Sequence, residues 1–491
     1  MENQFEVLKQ QIKDNINRWY PKEENIEYFV INNLCKENEE ELINIANNMT
    51  EDSRILILMD NGLSVKNISV KEKESENLYT RKEIEELLNK LGLIYRKFYY
   101  PLPDNNITNV IFTDKHLPDE ETISRNITLY SPEQIEKNEQ NSEFIKIIRQ
   151  NPELFKIFAN SFFIECSKSE FKDNEIEFVS FSNMRKEKYR INTIIKGEYV
   201  YKGAINDKAL EHILNVKKNI DLLRNLNLNT LDSYDDIGII SEYQRDRKTL
   251  DKVIIEKIKM GQNEEASNLI NDLFDELKNK LLIVKTEKNV FDQYQISYEE
   301  TALENLTFVK YGFWDMIFQN IFYINEQYYF YDQEWLEENI PLEYIVYRAF
   351  LYNQELARLI KKEEIYTRFN IKEEQIKLFR ELDNKLQEKT RDENVWNIHS
   401  KPITINTLLE KNRRNEEEIQ KLLKDKEQIT QDCNKLLNEK DARIKFLEDN
   451  MAETVNLLHA KERRIELIEA STSWRITEPL RWLRRNKKGK K

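Results

Sequence analysis

Glycine is scarce in this chain: eight residues in 491, where average usage of about 7% would give roughly 34. Nucleotide-binding loops need glycine where the backbone must approach a phosphate, and neither G-x-G-x-x-G nor G-x-x-x-x-G-K-[ST] occurs anywhere. A Rossmann or P-loop site of the usual kind is thereby excluded. The net charge of −13 argues against a general nucleic-acid binder, because phosphate contact needs a basic surface. Cys35, Cys166 and Cys433 lie far apart and the four histidines are scattered, so neither a disulfide framework nor a zinc site is expected. No run of about 18 uncharged apolar residues occurs and the start MENQFEVLKQ has no signal-like apolar stretch, which predicts a cytosolic protein without a membrane span.

The length predicts two or three domains at roughly 100–200 residues each. Residues 1–125 read as α/β. Residues 26–31 (IEYFVI) are strand-like, 37–49 have helical spacing, and 55–59 (ILILM) form a continuous apolar run of the kind buried in a parallel sheet. Thr80 with Glu83 makes a capping box, and Gly92 closes the helix that follows. Residues 95–100 turn extended and lead through PLPD to 104–117, and 126–154 are a polar linker carrying a helix. Four strand-like segments then follow in succession, ANSFFIEC, IEFVSFSNM, YRINTII and EYVYKGAI, which predicts an antiparallel sheet. A helix over 208–226 and a strand over 238–243 precede a helix-rich region that extends to about residue 400.

Residues 406–470 are densely charged. From position 408 onward they lack glycine and proline, with apolar residues at 419, 422, 429, 436, 444, 447, 451, 458, 465 and 468. This spacing of three and four, with one extra four-residue step near Lys440, predicts a coiled coil with a stutter. Lys426, Cys433, Lys440, Thr454 and Lys461 interrupt the seam, and a solvated single helix is the alternative. The tail 471–491 sets Trp474, Ile476, Leu480, Trp482 and Leu483 among eight cations and one acid. Such a pattern suits an anionic membrane surface, and a solvated basic tail is the alternative.

One constellation carries chemistry. In FWDMIFQNIFYINEQYYFYDQEW, apolar runs flank Asp315, Asn320 and Asp332, so that a small hairpin can bring all three to one end. Phosphoryl transfer needs a carboxylate to orient the attacking hydroxyl, and an Asn with an Asp to hold magnesium on ATP. Lys202 stands mid-strand in EYVYKGAI, where a cation is out of place unless it meets a partner. Glu211 follows on the next helix.

Order and spacing give the region 155–405 a resemblance to the protein-kinase-like fold of small-molecule and sugar kinases such as the aminoglycoside phosphotransferases. The resemblance implies that Lys202 binds phosphate, Glu211 holds Lys202, Asp315 is the catalytic base, and Asn320 and Asp332 bind magnesium. Phe313 stands where a catalytic-loop histidine is common, SNMRKEKY replaces the glycine-rich loop, and Gln333–Glu334 replace the usual residues after the metal-binding aspartate. A pseudokinase is therefore an alternative. RILILMDNGL, YTRKEIEELLNKLGL and KFYYPLPDNNITNVIFTDKHLP look like the C-terminal half of a class I S-adenosylmethionine-dependent methyltransferase. The glycine-rich cofactor turn has no counterpart, so S-adenosylmethionine is not expected to bind. As a whole the chain is similar to the bifunctional kinase–methyltransferases that cap O-antigen polysaccharides, and its ending S-x-S-W-R-I-T-x-P-L-R resembles tails of surface-glycan glycosyltransferases.

The expected fold is thus an α/β methyltransferase-like remnant plus an α+β protein-kinase-like two-lobed domain, followed by a long α-helical coiled coil. The implied function is ATP- and Mg2+-dependent phosphorylation of a sugar hydroxyl in surface-polysaccharide assembly. The implied partners are a glycan acceptor, glycosyltransferases, a second copy through the coil, and an anionic membrane through 474–491. An inactive scaffold, or a methyltransferase completed by a partner chain, are the other readings.

Overall fold

The structure is a computed structural model that describes residues 19–488 apart from 24, 66, 68–75, 106–107, 126–136, 286–287, 394 and 396–404. Part of the expected linker, the segment just before the coil and the last three residues therefore lie outside the described residues. The chain forms two compact units that divide between Thr404 and Ile405.

The first unit is mixed α/β around a ten-stranded sheet. Its first strands are β1 (Tyr28–Asn32), β2 (Arg54–Asp60), β3 (Tyr95–Pro103), β4 (Thr108–Thr113) and β5 (Ser161–Ser167). The apolar run of β2 is buried along nearly its whole length, as its lack of alternation requires. It pairs parallel with β1 through the crossover helix α1 (Glu39–Asn48). On its other edge β2 pairs antiparallel with β5, and β5 in turn pairs antiparallel with β3.

This placement departs from the expectation of four consecutive antiparallel strands. Every residue of β5 is buried, so the strand needs partners at both edges and side chains over both faces. The gap between β2 and β3 supplies both. The other three, β6 (Ile176–Phe181), β7 (Ile191–Lys196) and β8 (Tyr199–Ala204), form the expected antiparallel meander. Because β6 pairs with β4, the sheet runs unbroken from the N-terminal strands into this meander. It ends at β11 (Ile239–Glu242) and β10 (Asp232–Tyr234).

Helix α2 (Arg81–Lys90) begins as the sequence predicts: Glu83 N donates to Thr80 Oγ1 at 3.3 Å, and Thr80 N donates to Glu83 Oε2 at 2.8 Å. Gly92 follows with φ +75°, the left-handed turn that glycine adopts without a Cβ penalty. Leu42 and Ala46 of α1, Ile84 and Leu88 of α2, and Phe144 and Ile148 of α3 (Lys137–Gln150) cover one face of the first strands. Trp19 and Tyr20 pack on the other, against Tyr99 and Phe163.

After β8, helix α4 (Leu210–Asn225) packs Val216 and Ile220 against Ile239. The chain then becomes helical, with α5 (Leu250–Lys259) and α6 (Asn263–Lys280). Into this region are set two antiparallel pairs: β12 (Phe308–Phe313) with β15 (Leu336–Pro341), and β13 (Ile321–Ile324) with β14 (Gln327–Phe330). Helices α7 (Leu342–Leu351) and α8 (Glu373–Thr390) complete a core that includes Phe274, Phe313, Phe318, Tyr344, Phe350 and Phe379. β14 also pairs with β9 (Asn229–Thr230), which ties the helical half to the segment leading out of α4.

The second unit is helical. Its helix α9 (Ile405–Ala470) runs 66 residues without a break. Every apolar residue of the expected seam, from Ile419 to Ile468, is exposed, which is compatible with a coiled coil and equally with a solvated single helix. The tail forms α10 (Thr472–Ile476) and α11 (Glu478–Lys488), where Arg481 stacks 3.5 Å over the Trp474 ring while Ile476, Leu480 and Trp482 stay exposed. Among the described residues no helix is long and apolar enough to cross a membrane.

Candidate functional site

Lys202 lies in β8 opposite Thr193 of β7 and Ile239 of β11. The close approach of β11 depends on Gly238, where a Cβ would fall 2.3 Å from the Lys202 carbonyl oxygen. Gly238→Ala must therefore push the strand that carries Lys202 away, and we expect a loss of about 1–3 kcal/mol, measurable as a lower thermal midpoint.

The Lys202 side chain is 11% exposed; its ammonium donates to Asp332 Oδ1 and lies 3.9 Å from Glu334 Oε1. A cation inside a sheet is stable only if carboxylates meet it, and 130 residues further along the chain the turn after β14 brings two of them. Asp332 has φ +59°, a conformation uncommon for a residue with a side chain and one that concentrates at functional turns. Its backbone N–H donates to Asp232 Oδ2 at 2.8 Å.

Glu334 is the hub of the cluster. Arg185, from the loop between β6 and β7, donates to its Oε2, and His212 Nε2 of α4 lies 3.0 Å from the same atom. Asn219 Nδ2, two turns further along α4, donates to the carbonyls of Gln333 and Glu334 at 3.1 Å each. Trp335 stacks on His212 and on Trp314, with ring centroids at 4.6 and 5.6 Å.

Asp315 follows β12. Arg348 of α7 donates from Nε to the Trp314 carbonyl at 2.6 Å, places Nη2 3.5 Å from Asp315 Oδ1, and pairs with Asp383 of α8. Asn320 Nδ2 and Gln333 Nε2 each donate to the Asp315 carbonyl at 3.1 Å, and Tyr331 N donates to the Asn320 carbonyl at 3.1 Å. Lys202 and Asp332 are thus paired, and Asn320 and Gln333, the residue after Asp332, both bond the Asp315 carbonyl.

Glu211 is not part of this cluster. It is exposed on the outer side of α4, and successive helical residues are separated by about 100°, so the residue that α4 turns toward the cluster is its neighbour His212. The carboxylates that hold Lys202 come instead from Asp332 and Glu334. Phe313, where a histidine is common in the resembling family, is buried in the core of the helical half. Sequence reasoning also passed over Arg185, His212, Asp232 and Arg348. Two signals were available: Glu334 lies two residues after Asp332, and Arg185 lies in the loop expected to cover phosphate.

The charges explain one another. Burial pushes the Asp315 carboxyl up to about 7, against the pull of Arg348. Burial also raises Glu334, but Arg185, His212 and Lys202 outweigh it and hold the carboxyl well below the usual range. Asp332 is raised by burial and by the neighbouring Glu334 charge, against Lys202. Burial lowers Lys202, yet Asp332 and Glu334 raise it overall.

Among the described residues no three His, Cys, Asp or Glu side chains are grouped to hold a metal ion. Magnesium usually takes only one or two carboxylates and completes its shell with water and substrate phosphates, and the Asp332 carboxylate and the Asn320 carboxamide oxygen are donors of the kind it takes. No protein family, curated protein or solved structure matches the chain.

Proposed function

We propose that the chain is an ATP- and Mg2+-dependent phosphotransferase acting on a sugar hydroxyl in bacterial surface-polysaccharide assembly. The observation that carries this reading is the bond between Lys202 and Asp332, which joins the sheet to the polar turn that also holds Asp315 and Asn320. In this reading Lys202 binds phosphate, and Asp315 orients the attacking hydroxyl and takes its proton. A carboxyl titrating near neutrality suits that task. Asn320 and Asp332 would hold magnesium, which when bound neutralises charge on the phosphates. The N-terminal strands are read as a methyltransferase-like remnant without an S-adenosylmethionine site.

The exposed seam of α9 is read as the face for a second copy, and the exposed apolar residues of α10 and α11 as an anchor on anionic lipid. The glycan acceptor and glycosyltransferases are the remaining partners. A second reading, an inactive scaffold, is favoured by one observation: Lys202 is paired with Asp332 and Arg185 with Glu334, so the cluster already neutralises much of its own charge.

Calorimetric titration of the full chain with ATP and magnesium separates the two. The enzyme reading expects binding in the micromolar to millimolar range typical of enzyme substrates and its loss in Asp332→Ala. No binding by the unaltered chain would leave the scaffold. Sedimentation of the same sample, against the monomer mass of 59.3 kDa, and flotation with anionic vesicles test the second copy and the lipid.

A further inference from the structure

The loop between β6 and β7 has no glycine, and its shape is set from outside. Lys186 N donates to the Thr390 carbonyl at 2.8 Å, Asp392 N donates to the Met184 carbonyl at 2.9 Å, and Arg185 and Arg391 form a β-bridge. Lys186 Nζ adds a bond to the Glu388 carbonyl at 2.7 Å, and Arg190 Nη2 lies 3.1 Å from Asp392 Oδ2. The end of α8 and the residues after it thus form a strap that holds the loop over the cluster.

The strap directs Arg185 inward. Its guanidinium meets the buried Glu334 and lies 5.3 Å from the Trp335 ring centroid. Lys202 reaches the same carboxylate from the sheet, so two cations from separate elements converge on one buried acid. The Arg185 side chain keeps 27% of its exposure whereas Glu334 keeps 3%. A guanidinium carries five N–H donors in a planar fork that matches phosphate oxygens, and the bond to Glu334 uses only part of it.

We propose that Arg185 is a phosphate-binding residue for a nucleoside triphosphate, doing with a side chain what a glycine loop does with backbone N–H groups, and that Glu334 orders Arg185 and Lys202 as a pair. This rests on the phosphotransferase reading above and adds to it the residue that replaces the missing glycines. It also accounts for the strap: a phosphate loop built on a side chain must have its backbone fixed, whereas a glycine loop folds around the phosphate itself.

The test is a calorimetric titration of the full chain with ATP, ADP and adenosine in magnesium buffer, for the unaltered protein, Arg185→Gln and Arg185→Lys. A charge-assisted contact of this type is worth about ten- to a hundred-fold in affinity. Arg185→Gln should weaken ATP and ADP by that factor and leave adenosine unchanged, with Arg185→Lys between. ATP binding that is unchanged or tighter in Arg185→Gln would overturn the proposal, the tighter case marking Arg185 as a latch over the site. An equal loss for all three ligands would also overturn it, because the residue would then be architectural. In both cases the phosphotransferase reading stands. It falls, together with this proposal, only if the unaltered chain binds no ATP.

Discussion

Glu334→Ala is expected to destabilise the first unit by about 3–5 kcal/mol, the cost of removing one partner from a buried ionic cluster. The loss exceeds that of an ordinary ion pair because Glu334 is buried and faces Arg185, His212 and Lys202 together. Removing it leaves Arg185 and Lys202 with cationic charge that Asp332, Asp232 and Asp315 offset only in part. The exposed pair Lys208–Glu187 gives the contrast: Glu187→Ala should cost no more than about 1 kcal/mol. Glu334→Gln should fall between, since the carboxamide keeps an acceptor for Arg185 and loses the charge. Trp314 and Trp335 stack beside the cluster, so urea unfolding followed by tryptophan fluorescence reads the change directly. The pH dependence has a definite sign. The Glu334 carboxyl is held below its ordinary value in the folded state, so its contribution is fully present above about pH 4.5 and is lost as the pH falls further. The gap between the unaltered protein and Glu334→Ala should therefore narrow in acid. Equal midpoints at pH 7 would show that Glu334 does not hold the cluster together.

What the sequence revealed and what it hid divide along the range of the interactions. The start of α2 was legible because its box closes over four residues, from Thr80 to Glu83, and β2 because an apolar run without alternation has only buried solutions. Lys202 was legible as an anomaly, a cation amid strand residues, and Asp315, Asn320 and Asp332 as a spacing that a hairpin closes. The position of β5 was not. Its sequence specifies burial, and the choice of β2 and β3 as neighbours depends on surfaces that lie 64 to 111 residues away in the chain. Glu211 shows the angular limit of such reading: a shift of one residue in helical phase exchanges an exposed acid for a buried histidine. The loop of Arg185 was legible but its inward direction was not, because the strap that sets it comes from residues 388–392, about 200 positions later.

If the chain is the phosphotransferase proposed above, its transfer rate should rise with pH through about 7 and level off above it. Burial pushes the Asp315 carboxyl up to about 7, so below that pH the group is protonated and cannot accept the proton of the attacking hydroxyl; the rate should fall about tenfold per unit. Asp315→Asn should be about 10²–10⁴-fold slower and without this step in its profile. Arg348 supplies the control. Its guanidinium lies 3.5 Å from Asp315 Oδ1 and favours the ionised form, so Arg348→Lys, which gives up the fork that spans Asp315, the Trp314 carbonyl and Asp383, should move the half-maximal rate to higher pH. A residue that merely supports the fold would lower the rate at every pH and leave the midpoint in place. Stability should respond in the opposite sense to activity. Between about pH 4 and 7 the folded chain keeps a proton on Asp315 that the unfolded chain has released, so this group's effect on stability worsens as the pH rises, by at most about 1.4 kcal/mol per unit. Asp315→Asn should remove that slope from the urea midpoints while abolishing the kinetic step. A transfer rate that is flat from pH 6 to 8 in the unaltered protein would separate Asp315 from the proton transfer assigned to it.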